Sequence, residues 1–190
     1  MTLSLGVCTT LLICGPLLQE QTSNDFVAAK PSPEHAILKK DVGTWDIDIT
    51  MGSGAAKAQS KGTETVRMLG SFWSISDMKY DYMGQPVQSH GTIGYDPDKK
   101  RFVGSWHESS SPNLTTMTGK WDAKTNKLTM IMKGKDPAGK NTRFKSITTY
   151  IDENTKTFEF FMLKEGSKTE FMKAMEMKYS RRKDVTPPSK

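Results

Sequence analysis

From Thr44 onward the chain alternates between apolar and polar residues. In "TWDIDITM", Trp45, Ile47, Ile49 and Met51 are separated by Asp46, Asp48 and Thr50, the period of two that a strand with one buried face requires. Similar runs recur to the end of the chain: Thr63–Leu69, Phe72–Met83, Val87–Tyr95, Arg101–Ser109, Leu114–Asp122, Lys127–Gly134, Thr142–Ile151, Thr157–Leu163 and Glu170–Ser180. Turn chemistry separates them at intervals of about ten residues. The turns are the Gly/Ala/Ser-rich "GSGAAKAQSKG", Gly70, "GQP", "DPDK", "SPN", "AKTN", "DPAG", "DEN" and "KEG". One different segment precedes them. "SPEHAILKK" reads as a short helix, with Ser32 as its cap, Pro33 at the first helical position, and Ile37 and Leu38 as its apolar face.

Short connections make consecutive strands antiparallel neighbours, which is a meander. A twisted meander of this length removes its two exposed edges by closing on itself. The expected fold is therefore all-β: an antiparallel up-and-down barrel of about 8–10 strands with one short N-terminal helix across an end. No repeat of the kind that builds a propeller is present.

The chain has 190 residues, enough for one domain and some tail. Its first eighteen residues, "MTLSLGVCTTLLICGPLL", are uncharged and largely apolar. They are too short and too interrupted for a membrane span and suit a secretory signal, with Val27-Ala28-Ala29 as the cleavage region. The expected division is a signal peptide over 1–29, a barrel over 30–183 and a disordered tail over 184–190. Export to the periplasm or the extracellular space follows, with a retained membrane anchor as the alternative. Both cysteines, Cys8 and Cys14, fall in the removable part, so a mature thiol nucleophile or thiolate zinc site is not expected. The net charge of +6 is spread over turns and the tail, in Lys99-Lys100-Arg101, Lys133/Lys135 and Arg181-Arg182-Lys183. Without interleaved aromatics this does not point to nucleic acid; weak attraction to an anionic surface fits better.

Gly43-Thr44-Trp45 on the first strand, after a short helix, resembles the G-x-W opening of lipocalins and the wider calycin barrels. That resemblance implies a basic residue late in the chain packing on the tryptophan at the barrel base, a place that Arg181 or Arg182 could fill. A fuller set of segments, "PEH..L", "VGTWD", "FW", "MGQPVQSHGTIGYD", "FVGSWHESSS", "GKWD" and "MEMKYSRR", is similar to the bacterial family DUF1579, a domain of unknown function. The likeness covers most of Pro33 to Arg182 and implies the calycin-like barrel without implying an activity.

Candidate chemistry is sparse. Of the three histidines, His90 and His107 lie on adjacent predicted strands, and alternation turns both away from the apolar set. Were they instead at the barrel mouth, with Glu108 or Tyr95 nearby, they could serve as a general base or a metal pair. Yet His107 and Glu108 are neighbours and should face opposite ways. No H-x-H or H-E-x-x-H spacing supports a metal, and a haem would have to use His90, His107 or a methionine. The twelve methionines include Met130/Met132 and Met175/Met177 on shared strand faces. Thioethers can hold Cu(I), but same-face methionines are first of all adaptable core or pocket wall. No nucleophile elbow occurs. Asp46 and Asp48 alternate with the core set and should face water. In "FWSISDMKYDYM" the phase Phe72-Ser74-Ser76-Met78-Tyr80-Tyr82 is taken as inward, which gives an inner face of mixed polarity.

The sequence thus favours a barrel without catalytic residues, cofactor or metal that binds a small apolar or amphipathic molecule. Its inner wall would be Trp45, Ile47, Ile49, Phe102, Trp106, Met130, Met132, Phe158, Phe160, Met175 and Met177. The alternatives are a filled barrel acting as an interaction or structural module, and an enzyme with His90 and His107 at the mouth.

Overall fold

The computed structural model describes residues 29–52, 57–136 and 138–183. The expected signal peptide as far as residue 28, with Cys8 and Cys14, and the expected tail 184–190 lie outside the described residues. Each predicted strand is present: β1 (Gly43–Met51), β2 (Ala58–Leu69), β3 (Trp73–Tyr82), β4 (Gln85–Asp96), β5 (Arg101–Glu108), β6 (Thr115–Asp122), β7 (Lys127–Lys135), β8 (Asn141–Tyr150), β9 (Thr155–Leu163) and β10 (Phe171–Arg181). They follow one another around a closed antiparallel barrel, and β1 pairs with β10 to seal it. Strand β2 begins at Ala58, earlier than its expected start at Thr63, because Gly62 acts as a strand residue rather than a turn. Gly62 stands opposite Ile47, and a Cβ there would meet the Lys79 carbonyl at 2.9 Å, a close approach that only glycine permits.

The helix is shorter than expected. It is α1 (His35–Leu38), continued by a 3-10 turn over Lys39–Asp41. Ser32 does not cap it through its side chain. Its backbone N–H instead donates to His35 Nδ1 at 3.0 Å, so that nitrogen carries no proton. The His35 ring is buried edge-on against Phe72 and Tyr95, which ties the helix to one end of the barrel. Leu38 drops into the core beside Phe102, Leu128 and Tyr150. This end, the base, carries the turns after β2, β4, β6 and β8; the opposite end, the mouth, carries the alternate hairpins.

At the base, the Arg181 guanidinium lies 4.0 Å from the Trp45 ring centroid. It also donates to the carbonyls of Lys40, Val42 and Glu153, binding the pre-barrel segment to the last strand. Arg182 reaches around the outside to Asp46. Asp48 is also on the outer face and pairs with Lys61. The carboxylates of the first strand are therefore solvent-side partners of lysine and arginine, as the alternation requires.

Candidate functional site

The inward residues change character along the barrel axis. In the base half they are packed solid: Trp45, Ile49 and Phe102 are each 1% exposed. A charged network lies among them. Lys156 Nζ donates to Asp41 Oδ1 at 2.7 Å and to Glu64 Oε2 at 3.3 Å, and lies 4.6 Å from the Trp45 ring centroid and 4.5 Å from that of Tyr179. Tyr150 donates to Asp41 Oδ2 at 2.7 Å, and Ser76 donates to Glu64 Oε1 at 2.5 Å. Every member has a partner, the condition under which a buried polar cluster holds a core together. This half is a closed floor.

Above it the same faces loosen. Trp106, Phe158, Phe160, Met162 and Met175 are inward by register yet only partly buried. Trp106 packs against both core clusters and so sits where floor meets opening. The ring rests on Gly91, where a Cβ would come within 2.6 Å of it. Gly91→Ala should therefore displace the indole and lower stability by about 1–3 kcal/mol. Urea unfolding and a shifted tryptophan emission maximum, with an unchanged far-UV spectrum, would report it.

The upper interior has two chemically different walls. Strands β8, β9 and β10 supply Phe144, Phe158, Phe160, Met162 and Met175, with Phe144 and Phe160 stacked at 5.2 Å between centroids. Strands β2 to β5 supply Ser60, Tyr80, Ser89 and Glu108. Tyr80 donates to Glu108 Oε2 at 2.9 Å, and Ser110 donates to Oε1 at 2.7 Å. Burial, with the Glu108 charge second, raises the Tyr80 phenol well above its ordinary range, so it remains a donor. The hydroxyls of Ser60 and Ser89 are buried without a hydrogen-bond partner among the described residues. Ser89 is 7% exposed and lies opposite Glu108 in the sheet. A buried hydroxyl left unpaired costs about 1–3 kcal/mol.

All the inner-wall residues expected from the sequence do face inward, but they divide between the halves. Trp45, Ile47, Ile49, Phe102, Met130 and Met177 belong to the packed floor. Trp106, Phe158, Phe160 and Met175 line the upper bowl, and Met132, 8% exposed, joins the two. The sequence reading missed Glu64, Ser89, Phe144, Lys156 and Met162, and considered Glu108 only as a companion of the histidines rather than as part of the inner wall. Most follow from strand parity, since Glu64 shares the phase of Val66, and Glu108 that of Trp106. Lys156 fell just before the expected start of its strand.

The histidines lie outside the barrel. Asp77, His90 and His107 form a row across β3, β4 and β5 on the outer face, with His90 Nδ1 2.8 Å from Asp77 Oδ1 and the two imidazoles 5.4 Å apart. Glu108, next in sequence to His107, points the other way. The enzyme reading, which needs these histidines at the mouth, has no geometric support. Among the described residues no three His, Cys, Asp or Glu side chains converge as metal ligands.

A cleft of about 1090 Å3, open to solvent, lies between the β7–β8 and β9–β10 hairpins, and of the upper interior residues it touches Phe144 and Met162. Its inner wall includes Gly134, Phe144 and Met162, and its rim carries Lys133, Lys135, Lys140, Arg143, Lys164 and Lys168 beside Asp136 and Glu165. The Arg143 guanidinium donates to the Lys168 carbonyl and so pins the β9–β10 loop. A bulge at Ala174 changes the phase of β10. Strict alternation would set Met172 on the face opposite Met175 and Met177; the bulge instead brings it into register with Met162, and it is exposed at the mouth.

This barrel has solved counterparts. Rv2717c from M. tuberculosis superposes with a TM-score of 0.60 at 11% identity, over 80% of this chain and 99% of that one. The S-type phycobiliprotein lyase CPES from Guillardia theta gives 0.52 at 10% identity, over 80% and 94%. At such identities the likeness establishes the fold. No curated protein sequence matches significantly. The sequence itself matches the family described as "Protein of unknown function (DUF1579)" over residues 30–181, and the chain belongs to that family.

Proposed function

We propose that this protein is a binding barrel that takes one small apolar or amphipathic molecule into the upper bowl. The observation that carries the reading is the change in burial along the axis. Side chains that point into a closed barrel can stay partly exposed only if open space adjoins them, and here Trp106, Phe158, Phe160, Met162 and Met175 do so above a packed floor. Apolar walls with a few placed polar groups are the usual makeup of a small-molecule site, and the Ser89 hydroxyl adds a polar group without a partner among the described residues. The phycobiliprotein lyase with a similar barrel is an enzyme by its name; at 10% identity it brings only the fold to this chain. A filled barrel accounts for the floor but not for the bowl. The expected export signal would place this binder outside the cytoplasm.

N-phenyl-1-naphthylamine, a neutral apolar fluorophore, tests the reading. It should bind one to one at micromolar concentration, with energy transfer from tryptophan that weakens in Trp106→Phe. Met175→Trp, which fills the bowl, should lower its affinity at least tenfold while the thermal transition stays near that of the parent. Absence of binding, or binding equal in parent and Met175→Trp, would refute an internal site.

A further inference from the structure

We infer that the cleft at the mouth holds the anionic head, a carboxylate or phosphate, of an amphiphile whose tail lies in the bowl. The inference rests on the proposed internal site and adds to it the sign of the ligand's charge.

The cleft and the bowl share walls: Phe144 and Met162 border the cleft and also belong to the apolar cluster that contains Phe160. A molecule with its chain against Phe160 and Trp106 has its other end among the hairpin residues. Those residues are strongly one-signed. The cleft is bordered by Lys133, Lys135, Lys140, Arg143 and Lys168, and none of these has a carboxylate of the described residues within 4.0 Å. Lys164 is the exception, pairing with Glu170 at 3.1 Å. Asp136 and Glu165 are the acidic residues on the same border. Asp136 is turned to its own loop, accepting the Lys140 backbone N–H at 2.9 Å. Cations gathered around a concavity repel one another and attract an anion into it. The opposite wall supports the same polarity. Glu108 already has both oxygens engaged by Tyr80 and Ser110, and its charge turns an anionic head away from that side and toward the lysines.

Leu114 and Met172 are exposed at this end, so docking of the rim on an anionic membrane is the competing use of the same charges. The enclosed apolar wall directly beneath the cations favours a single amphiphile, because a flat bilayer surface would leave Phe160 and Trp106 untouched.

Three compounds with the same chain and different heads decide the matter: dodecanoate, dodecanol and dodecylamine, each below its micelle concentration, displacing N-phenyl-1-naphthylamine at pH 7.5. Dodecanoate should bind at least tenfold more tightly than dodecylamine in low salt. In the triple variant Lys133→Gln, Lys140→Gln, Lys168→Gln, whose exposed side chains the fold does not need, that ratio should fall to within about threefold, and 0.5 M salt should reduce it in the parent. Equal affinity for all three heads, or a ratio that the triple variant leaves unchanged, overturns this inference and leaves the internal site standing. Displacement by none of them, with the fluorophore also failing to bind, overturns both. Binding to vesicles of anionic phospholipid but not to dodecanoate overturns it in favour of a membrane-docking rim.

Discussion

Lys156→Ala lowers the free energy of unfolding by about 3–5 kcal/mol, the cost of removing one partner from a buried ion pair. The ammonium lies between two carboxylates, Asp41 at 2.7 Å and Glu64 at 3.3 Å, and against two aromatic rings. Without it, both acids remain inside the floor with only Tyr150 and Ser76 as donors. Asp41 also belongs to the segment that closes the base: its backbone carbonyl accepts the Trp45 indole N–H at 2.8 Å. Loss of the lysine therefore loosens the plug as well as the core. Urea unfolding followed by tryptophan emission measures the change, and a loss under about 1 kcal/mol would mean that the network is incidental to the fold. The triple substitution Lys156→Met, Asp41→Asn, Glu64→Gln should recover much of the loss, since it removes the charges together.

The same floor predicts an abrupt alkaline transition. Burial, followed by the Asp41 charge, raises the Tyr150 phenol well above its ordinary 10.0. Burial, followed by Glu64 and Asp41, does the same to Tyr179. For Lys156 burial works in the opposite direction, but the two carboxylates outweigh it and hold the ammonium above its ordinary 10.5. All three groups keep their protons in the native barrel at a pH where the unfolded chain releases them. The native state then binds more protons than the unfolded one, so stability falls as pH rises. The contribution is fully present at neutral pH and is lost from about pH 10 upward, with a limiting slope of about 4 kcal/mol per pH unit for three protons. The urea midpoint should hold to pH 9 and collapse by about pH 11.5. A midpoint that declines by the same small step from pH 8 to 11.5 would contradict the placement of these groups in the floor.

The barrel was legible in the sequence because alternation is a local signal and closure is the physical remedy for two exposed edges. Trp45, Ile47 and Ile49 face inward where parity put them, and Arg181 covers the indole as the family resemblance implied. What stayed hidden required knowing what lies across the interior. Glu64 and Lys156 are 92 residues apart, and each alone looks like an unremarkable polar residue near a strand end. Their attraction appears only when strands on opposite sides of the closure meet. The split between floor and bowl was hidden for the same reason, since parity says which way a residue points and not what fills the space in front of it. Met172 shows a third limit. A one-residue bulge changed its phase, and nothing in "EFMKAMEMKYS" announced it.

The seal between β1 and β10 has a consequence for how the chain finds its shape. Every other strand pairing joins neighbours through a short hairpin, which carries a small loop entropy and can form early. The seal instead joins residues from the two extremes of the fold, and the side chains that reinforce it span 136 residues from Arg182 to Asp46 and 141 from Arg181 to Lys40. Until they meet, the meander is an open ribbon with two unsatisfied edges. The final strand is thus the step that commits the ribbon to a ring, and until it has been synthesised the nascent chain has no partner of its own for the second edge of β1, the edge not paired with β2.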